Sequence, residues 1–242
     1  MKKIKFIFYL LILVFLSNKS YAVSTTGEAT SYKITMTYLE LCADGSSSAS
    51  CSDPLVVGSG DSGAIDIAAT TAGVAAASYG DFTKLPFGKS YTYYQVTMKR
   101  EVTIKGSLSD GTNTCYTSAN NGDISKNVAG STTEGDLTEI TAYSAMTVNG
   151  LGDEINSISA GDGTGTAQDA GTVDDDDEFF QFRGAFTQEI VLKPGKIPTL
   201  ELAFGTSSAL AYKGDSGGCE TTADEQQGLY GGKPDVTATV TY

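Results

Sequence analysis

Ser216 has the neighbours that most suggest catalytic chemistry. It lies in Gly214–Gly218, Gly-Asp-Ser-Gly-Gly, where glycines permit a tight turn that could expose the hydroxyl. A serine becomes a nucleophile only when a nearby base accepts its proton, and that base is most often histidine. The chain contains no histidine. Lys213 is the remaining candidate base, but a lysine needs burial to lower its pKa, and its polar, Gly-rich surroundings predict none.

The Gly214–Gly218 segment resembles the one that carries the nucleophilic serine in chymotrypsin-like proteases. That resemblance is confined to these residues and implies a histidine partner, which the chain lacks. We therefore predict no catalytic residue and no enzymatic activity, and expect the segment to form a turn that presents Cys219. A hydrolase that uses two carboxylates is a further hypothesis, although no pair of acids stands out.

The 4 cysteines predict two disulfides, because an even number is typical of exported chains. Cys42 and Cys51 flank a short polar segment and are expected to pair locally. Cys115 and Cys219 would then close a long loop, although the other connectivities remain open. The cysteine spacing and the lack of histidine disfavour a zinc site.

The strongest run of charge is a candidate Ca²⁺ site, because Ca²⁺ takes several carboxylate oxygens. The candidate ligands are Asp162, Asp174, Asp175, Asp176, Asp177 and Glu178. Consecutive aspartates do not all point at one ion, so a solvated acidic loop is the alternative interpretation. No cofactor is expected to be required.

The N-terminus has the pattern of a secretory signal peptide. Lys2, Lys3 and Lys5 precede the apolar run 6–16, which is much shorter than the roughly 20 residues that span a membrane. Small residues at Ser20 and Ala22 predict cleavage after Ala22. We expect export to the cell surface, the extracellular space or the periplasm of a Gram-negative-type bacterium, with no membrane span after cleavage.

The chain is acidic, and the predicted cleavage makes it more so. Residues 1–22 hold four of the 16 Lys and Arg and none of the 29 Asp and Glu, so the formal charge goes from −13 to −17. Such a charge disfavours nucleic acid as a partner. Self-association or other cell-surface proteins are the expected partners.

Alternating apolar and polar residues predict an all-β fold, an antiparallel β-sandwich with about eight to ten strands in a single domain, residues 23–242. In 90–106, Tyr94, Val96 and Met98 share one face, and the polar residues between them are expected on a solvent face. Arg100 predicts a bulge or a strand end. Residues 107–177 are rich in Gly, Ser, Thr and Asp and are expected to form a loop-rich insertion.

Residues 186–204 resemble a hairpin, in which Pro194-Gly195 suits the central positions of a type II turn. At the end of the chain, alternation continues to the last residue. Its apolar face comprises Val236, Ala238, Val240 and Tyr242.

Two segments resemble parts of known secreted proteins. Leu85–Val96 resembles the Leu-Pro-x-Gly-x-Tyr entry to a strand in transthyretin-like β-sandwiches, with one additional residue. Gly231–Tyr242 resembles the C-terminal strand of bacterial pilin subunits of the spore-coat-U and chaperone–usher type. That resemblance implies assembly through the last strand, whereas residues 23–31 lack the large alternating apolar residues of a donor strand. A terminal aromatic is also similar to the last strand of outer-membrane β-barrels, a minor alternative.

These features together favour a non-enzymatic, structural or adhesive cell-surface protein, a pilus-like or filament subunit that assembles by edge-strand pairing. The alternative is a periplasmic or secreted β-sandwich module that binds Ca²⁺ or another ligand.

Overall fold

A computed structural model describes residues 22–47, 50–69, 79–109, 113–118, 130–143, 155–158, 169–170, 179–215, 219, 228–232 and 234–242. These residues form β-strands, turns and two single-turn 3₁₀ helices, Phe82–Lys84 and Glu134–Asp136. The strands are β1 Ala22–Ile34, β2 Met36–Ala43, β3 Leu55–Ser59, β4 Ile65–Asp66, β5 Ser90–Lys99, β6 Glu101–Ser109, β7 Thr114–Thr117, β8 Gly130–Ser131, β9 Ile140–Tyr143, β10 Ile155–Ile158, β11 Asp169–Ala170, β12 Phe179–Val191, β13 Thr199–Gly205, β14 Leu210–Asp215, β15 Gly228–Gly231 and β16 Asp235–Thr241.

The first sheet has the order β15-β14-β1-β6-β7-β8, with β4 also paired to β1 and β9 to β6. The start of β1 pairs with β14, and its second half pairs with β6. Gly106 allows the close approach of β6 to β1, because a Cβ there would lie 2.3 Å from the carbonyl oxygen of Glu28. The N-terminal strand is therefore an internal strand of its own chain's sheet.

The second sheet has the order β11-β10-β12-β5-β2-β3, and the third consists of β13 and β16. All of the strand pairs are antiparallel. In β12, the pairing with β5 is interrupted by a bulge between Ala185 and Ile190. Arg100 lies between the end of β5 and the start of β6, as its place in the pattern predicted.

The predicted all-β, antiparallel sandwich-like fold is confirmed, with more strands than periodicity indicated. Several of the additional strands are short, and β4, β8 and β11 have only two residues each. Strands β7 to β11 lie within 107–177, the segment that composition predicted to be a loop-rich insertion. Two-residue strands show no alternation, so period-two reasoning does not find them.

One hydrophobic cluster joins side chains from all three sheets. In the second sheet, the Tyr94 ring lies 5.9 Å from that of Phe182 and 5.4 Å from that of Phe186, centroid to centroid. Other buried members are Tyr32, Ile104, Leu210 and Leu229 from the first sheet, Leu39, Leu41, Phe180 and Ile190 from the second, and Leu200 and Leu202 from the third. Each large apolar side chain that is fully buried contributes about 1.5–3 kcal/mol to folding.

The predicted hairpin in 186–204 is wrong, although its turn is present. Lys196 N–H donates to the carbonyl of Lys193 at 3.1 Å, and Gly195 has φ 76°. However, β12 pairs with β5, whereas β13 pairs with β16. A type II turn does not match the twist of a two-stranded hairpin and splays the chain on either side of it. The turn therefore carries the chain from the second sheet to the third.

Asp66 holds β4 against β1. Its carboxylate accepts hydrogen bonds from the backbone N–H groups of Tyr32 and Ala68 at 3.0 and 3.1 Å, and from the Ser31 hydroxyl at 2.9 Å. Burial raises the pKa of Asp66, but these hydrogen bonds lower it by more, so that it lies below its usual value. The charged carboxylate is therefore the form that the fold stabilises.

We expect Asp66 to make the protein less stable in acid. Because its pKa is lower in the folded state, its contribution is present above about pH 4, the unfolded-state value, and is lost as the pH falls through the folded-state pKa. Urea unfolding from pH 6 to pH 2.5 should show a smaller loss of stability for Asp66→Asn than for the wild type. Equal pH dependence in both proteins would contradict this assignment.

No helix in the described ranges is long and apolar enough to cross a membrane.

Candidate functional site

The predicted assembly strand lies in β16, which pairs along its length with β13. Ala238 and Val240 are buried and Val236 is half-buried, whereas the threonines between them are exposed. The predicted alternation is therefore present, and the apolar face is directed into the core. Tyr242, just beyond the strand, is 37% exposed.

The edge of β16 that faces away from β13 lies beside β12. The Thr187 hydroxyl donates to the carbonyl of Ala238 at 3.2 Å. Val191 N–H donates to the Tyr242 hydroxyl oxygen at 2.9 Å, and Lys193 Nζ lies 4.2 Å from the centre of the Tyr242 ring. This edge of the C-terminal strand is thus occupied by contacts within the chain.

The outer edge of β13 is different. Among the described strands, only β16 pairs with β13, so the other edge has no strand partner there. Leu200 and Leu202 point into the core, whereas Thr199, Glu201 and Gly205 are exposed. Just beyond the strand, the carbonyl of Thr206 accepts a hydrogen bond from Ala29 N–H at 3.0 Å, which ties this end to β1.

An apolar cavity of about 40 Å³ lies beside β13, between the third sheet and the other two. The Tyr32 hydroxyl donates to the carbonyl of Gly232 at 2.9 Å, so that this polar atom is satisfied. Residues that line the cavity include Tyr32, Ile34, Val96, Leu202, Phe204 and Val236.

A buried polar row crosses the outer face of the second sheet. Arg183 donates from Nε to Gln95 Oε1 at 2.9 Å, with a second hydrogen bond from Nη2, and Gln95 Nε2 donates to Glu40 Oε2 at 2.7 Å. Arg183 is 4% exposed and Gln95 is 6% exposed. In this row, the amide of Gln95 is hydrogen-bonded to a guanidinium on one neighbouring strand and to a carboxylate on the other.

The prediction that this face of β5 is exposed to solvent is therefore wrong at Gln95. Thr97 is also buried, and Gln181 Nε2 donates to its hydroxyl at 3.4 Å. The available sequence signal was that Gln181 and Arg183 alternate with phenylalanines in β12, which places polar groups together on one face. The row holds neither a nucleophile nor a free base and is best explained as a structural network.

Both disulfides form with the predicted connectivity. Cys42 and Cys51 have Cα atoms 5.0 Å apart and close a loop with a sequence separation of 9. Cys115 on β7 and Cys219 have Cα atoms 5.2 Å apart, with a sequence separation of 104. All 4 cysteines are used, which is typical of proteins in an oxidising, exported environment.

The other predicted site residues lie outside the described residues. These are Ser216 and the candidate Ca²⁺ ligands Asp162, Asp174, Asp175, Asp176, Asp177 and Glu178. In the part of the chain that is described, no three acidic or cysteine side chains are placed to share one metal ion. The described site is thus the open edge of β13 with its cavity.

The chain matches no protein-family model, no curated protein sequence and no solved structure. Its function therefore has to be inferred from its own geometry.

Proposed function

We propose that this chain is an exported, non-enzymatic structural or adhesive subunit of the cell surface, which assembles when an extended segment of another copy pairs with the open edge of β13. An apolar side chain of the incoming segment enters the cavity next to Phe204 and Val236. This location differs from the original expectation for β16, because β16 already contacts β13 on one edge and β12 on the other.

This proposal rests on the outer edge of β13, which has no strand partner among the described residues. Edge strands expose unpaired amide and carbonyl groups, and proteins usually protect them with lysine, proline or a covering segment. Thr199–Gly205 contains neither lysine nor proline, and in the described residues no strand covers it. When an extended segment is added to such an edge, backbone hydrogen bonds supply affinity and side-chain pockets supply specificity.

Export is supported by the leader pattern of residues 1–22 and by the two disulfides. An acidic surface rich in Thr, Ser and Gly suits a protein that functions outside the cell. The cell surface is proposed over the periplasm because an assembling subunit has its use there.

The proposal is tested first on the wild-type protein, by size-exclusion chromatography and negative-stain electron microscopy over a range of concentrations. Oligomers or fibres are the expected result. A strictly monomeric protein without fibres, with and without Ca²⁺, would reject assembly.

A pair of variants of β16 tests the cavity. Val236 lines the cavity, whereas Thr237 is exposed on the opposite face of the same strand. Val236→Phe should fill the cavity and reduce assembly at least about tenfold, while Thr237→Phe should assemble like the wild type. A thermal melt of each variant confirms that it is folded. Equal assembly of both folded variants would exclude the cavity from the interface.

Ca²⁺ binding remains a separate prediction from the acidic run 174–178. A ligand that binds only the folded state raises the melting temperature with its concentration. The Ca²⁺-binding alternative requires the melting temperature to rise between EDTA and millimolar Ca²⁺, and the rise to be lost when Asp174, Asp175 and Asp176 are changed to Asn. An unchanged wild-type melt would remove the Ca²⁺-binding alternative.

A further inference from the structure

Two loops of this acidic chain have nearly the same composition. Residues 84–89 read Lys-Leu-Pro-Phe-Gly-Lys, and residues 193–198 read Lys-Pro-Gly-Lys-Ile-Pro. Each contains two lysines, a glycine and an apolar side chain, and neither contains an acid. In a chain with 29 Asp and Glu against 16 Lys and Arg, both loops reverse the prevailing charge.

The fold places the two loops side by side at one end of the second sheet. Ser90, which follows the first loop, pairs with Val191, which precedes the second. Phe87 forms a parallel bridge with Leu192, and the turn closed by the Lys193–Lys196 bridge then brings Ile197 opposite Leu192. We call residues 84–89 and 193–197 the lysine tip.

The lysine tip presents apolar and cationic groups to solvent together. Phe87 is 74% exposed and Ile197 is 59% exposed, the highest values for large hydrophobic side chains in the described residues. Lys84, Lys193 and Lys196 are also exposed, and none of the ion pairs found among the described residues involves them.

Three described carboxylates lie at or beside the lysine tip. Asp53 forms a salt bridge with Lys89, and Asp81 accepts a hydrogen bond from Thr83 and interacts electrostatically with Lys84. Glu189 accepts a hydrogen bond from the Ser90 hydroxyl at 2.5 Å. Lys193 also lies over the Tyr242 ring, which leaves its charge in place. The four lysines of the tip still outnumber these three acids, so the tip keeps a positive charge.

We propose that the lysine tip docks on an anionic lipid surface. Phe87 and Ile197 enter the boundary between headgroups and acyl chains, while Lys84, Lys193 and Lys196 contact lipid phosphates. Apolar anchors combined with basic residues are the two signals that together hold a protein on a membrane. This inference is independent of strand pairing at β13.

Charge complementarity favours lipid over a neutral partner, even though the whole chain is acidic. Exposed charges are screened over about 8 Å at physiological salt, so that the lysines at the surface outweigh acids elsewhere. At about 3.3 Å per residue, the strand Ser90–Lys99 extends about 30 Å from the tip, which keeps the far end of the sheet away from the membrane.

A tryptophan placed in the tip gives a local test, because the chain contains no tryptophan. Phe87→Trp is prepared in the full chain and mixed with phosphatidylglycerol–phosphatidylcholine vesicles that contain brominated lipid. We expect a blue shift and quenching of its emission. Ser59→Trp, exposed on β3 beside Tyr38, is the control and should show neither change. If Phe87→Trp fails to fold, Ile197→Trp gives the same readout.

Two charge-matched variants test the role of the lysines. Changing Lys84, Lys193 and Lys196 to Gln in the Phe87→Trp background should weaken binding to anionic vesicles by about a hundredfold, given the usual contribution of each lysine near an anionic surface. Changing Lys33, Lys99 and Lys105 to Gln alters the net charge equally, away from the tip, and should have little effect. Pure phosphatidylcholine vesicles should bind weakly in every case.

Three results would overturn the proposal. The first is emission of Phe87→Trp that vesicles leave unchanged. The second is equal quenching of Phe87→Trp and Ser59→Trp, which would place insertion elsewhere, for example in a retained leader that mass spectrometry would detect. The third is that changing the tip lysines to Gln alters the sedimentation of the protein without vesicles but leaves vesicle binding unchanged. That result would make a second copy of the chain the partner.

Discussion

Replacing Cys115 and Cys219 together with alanine is expected to lower the free energy of unfolding by about 4–5 kcal/mol, because this disulfide closes a loop with a sequence separation of 104. The bond removes conformational entropy from the unfolded chain, and the gain increases with loop length. Both sulfur-bearing side chains also belong to the buried core cluster. Urea unfolding at pH 7, followed by circular dichroism, measures the change.

The second disulfide provides the matched comparison. Cys42 and Cys51 close a loop with a sequence separation of only 9, for which the same chain-entropy relation gives about 2.7 kcal/mol. The double alanine variant at these positions should therefore be about 2 kcal/mol more stable than the Cys115→Ala/Cys219→Ala variant. A larger loss at the short loop would show that local packing, not loop entropy, dominates.

Ser216→Ala is the control for chemistry near Cys219. Because the chain has no histidine to activate a serine, this substitution should leave stability nearly unchanged and should abolish no activity. A hydrolytic activity that disappears in Ser216→Ala would contradict the non-enzymatic proposal directly.

Gln95→Leu is expected to destabilise the protein by about 1–3 kcal/mol, because it removes an acceptor of a guanidinium that is buried in the sheet. Arg183 is 4% exposed and donates through both Nε and Nη2 to Gln95. Leucine has nearly the volume of glutamine, so that loss of packing contributes little. Urea unfolding measures the effect.

A double-mutant cycle separates the buried charge from other causes. Arg183→Leu in the Gln95→Leu background removes the buried charge that lost its hydrogen bonds to Gln95, so the double variant should recover part of the stability. Glu40 is only half-buried and can be hydrated when its amide partner is lost. If the two substitutions destabilise additively, the row is not a coupled network.

The local sequence pattern predicted those features of the fold that depend mainly on neighbouring residues. The faces of β16 and the strand boundary at Arg100 followed from alternation, which any half-buried strand must show. The Pro194-Gly195 turn followed from the backbone preferences of those two residues. The even number of cysteines and their spacing predicted two disulfides and favoured the observed pairing, while leaving the other connectivities open.

The partners of each strand depended on contacts that are distant in sequence. The turn at 193–196 suggested a hairpin, yet β12 joins β5 and β13 joins β16, because pairing is decided by which edges and core faces meet in space. Alternation likewise placed Gln95 on the face opposite the core, but it gives no information on whether that second face is covered.

By itself, the sequence determined the all-β class, the acidic charge, the lack of a histidine base and the leader pattern, since each is a property of composition or of local order. Only the tertiary structure decided that, among the described strands, β13 rather than β16 has the open edge and that an apolar cavity lies beside it. It also brought two similar lysine loops together through Phe87 and Leu192. These features depend on contacts between segments that are far apart in the chain, and the periodicity of the sequence does not predict such contacts.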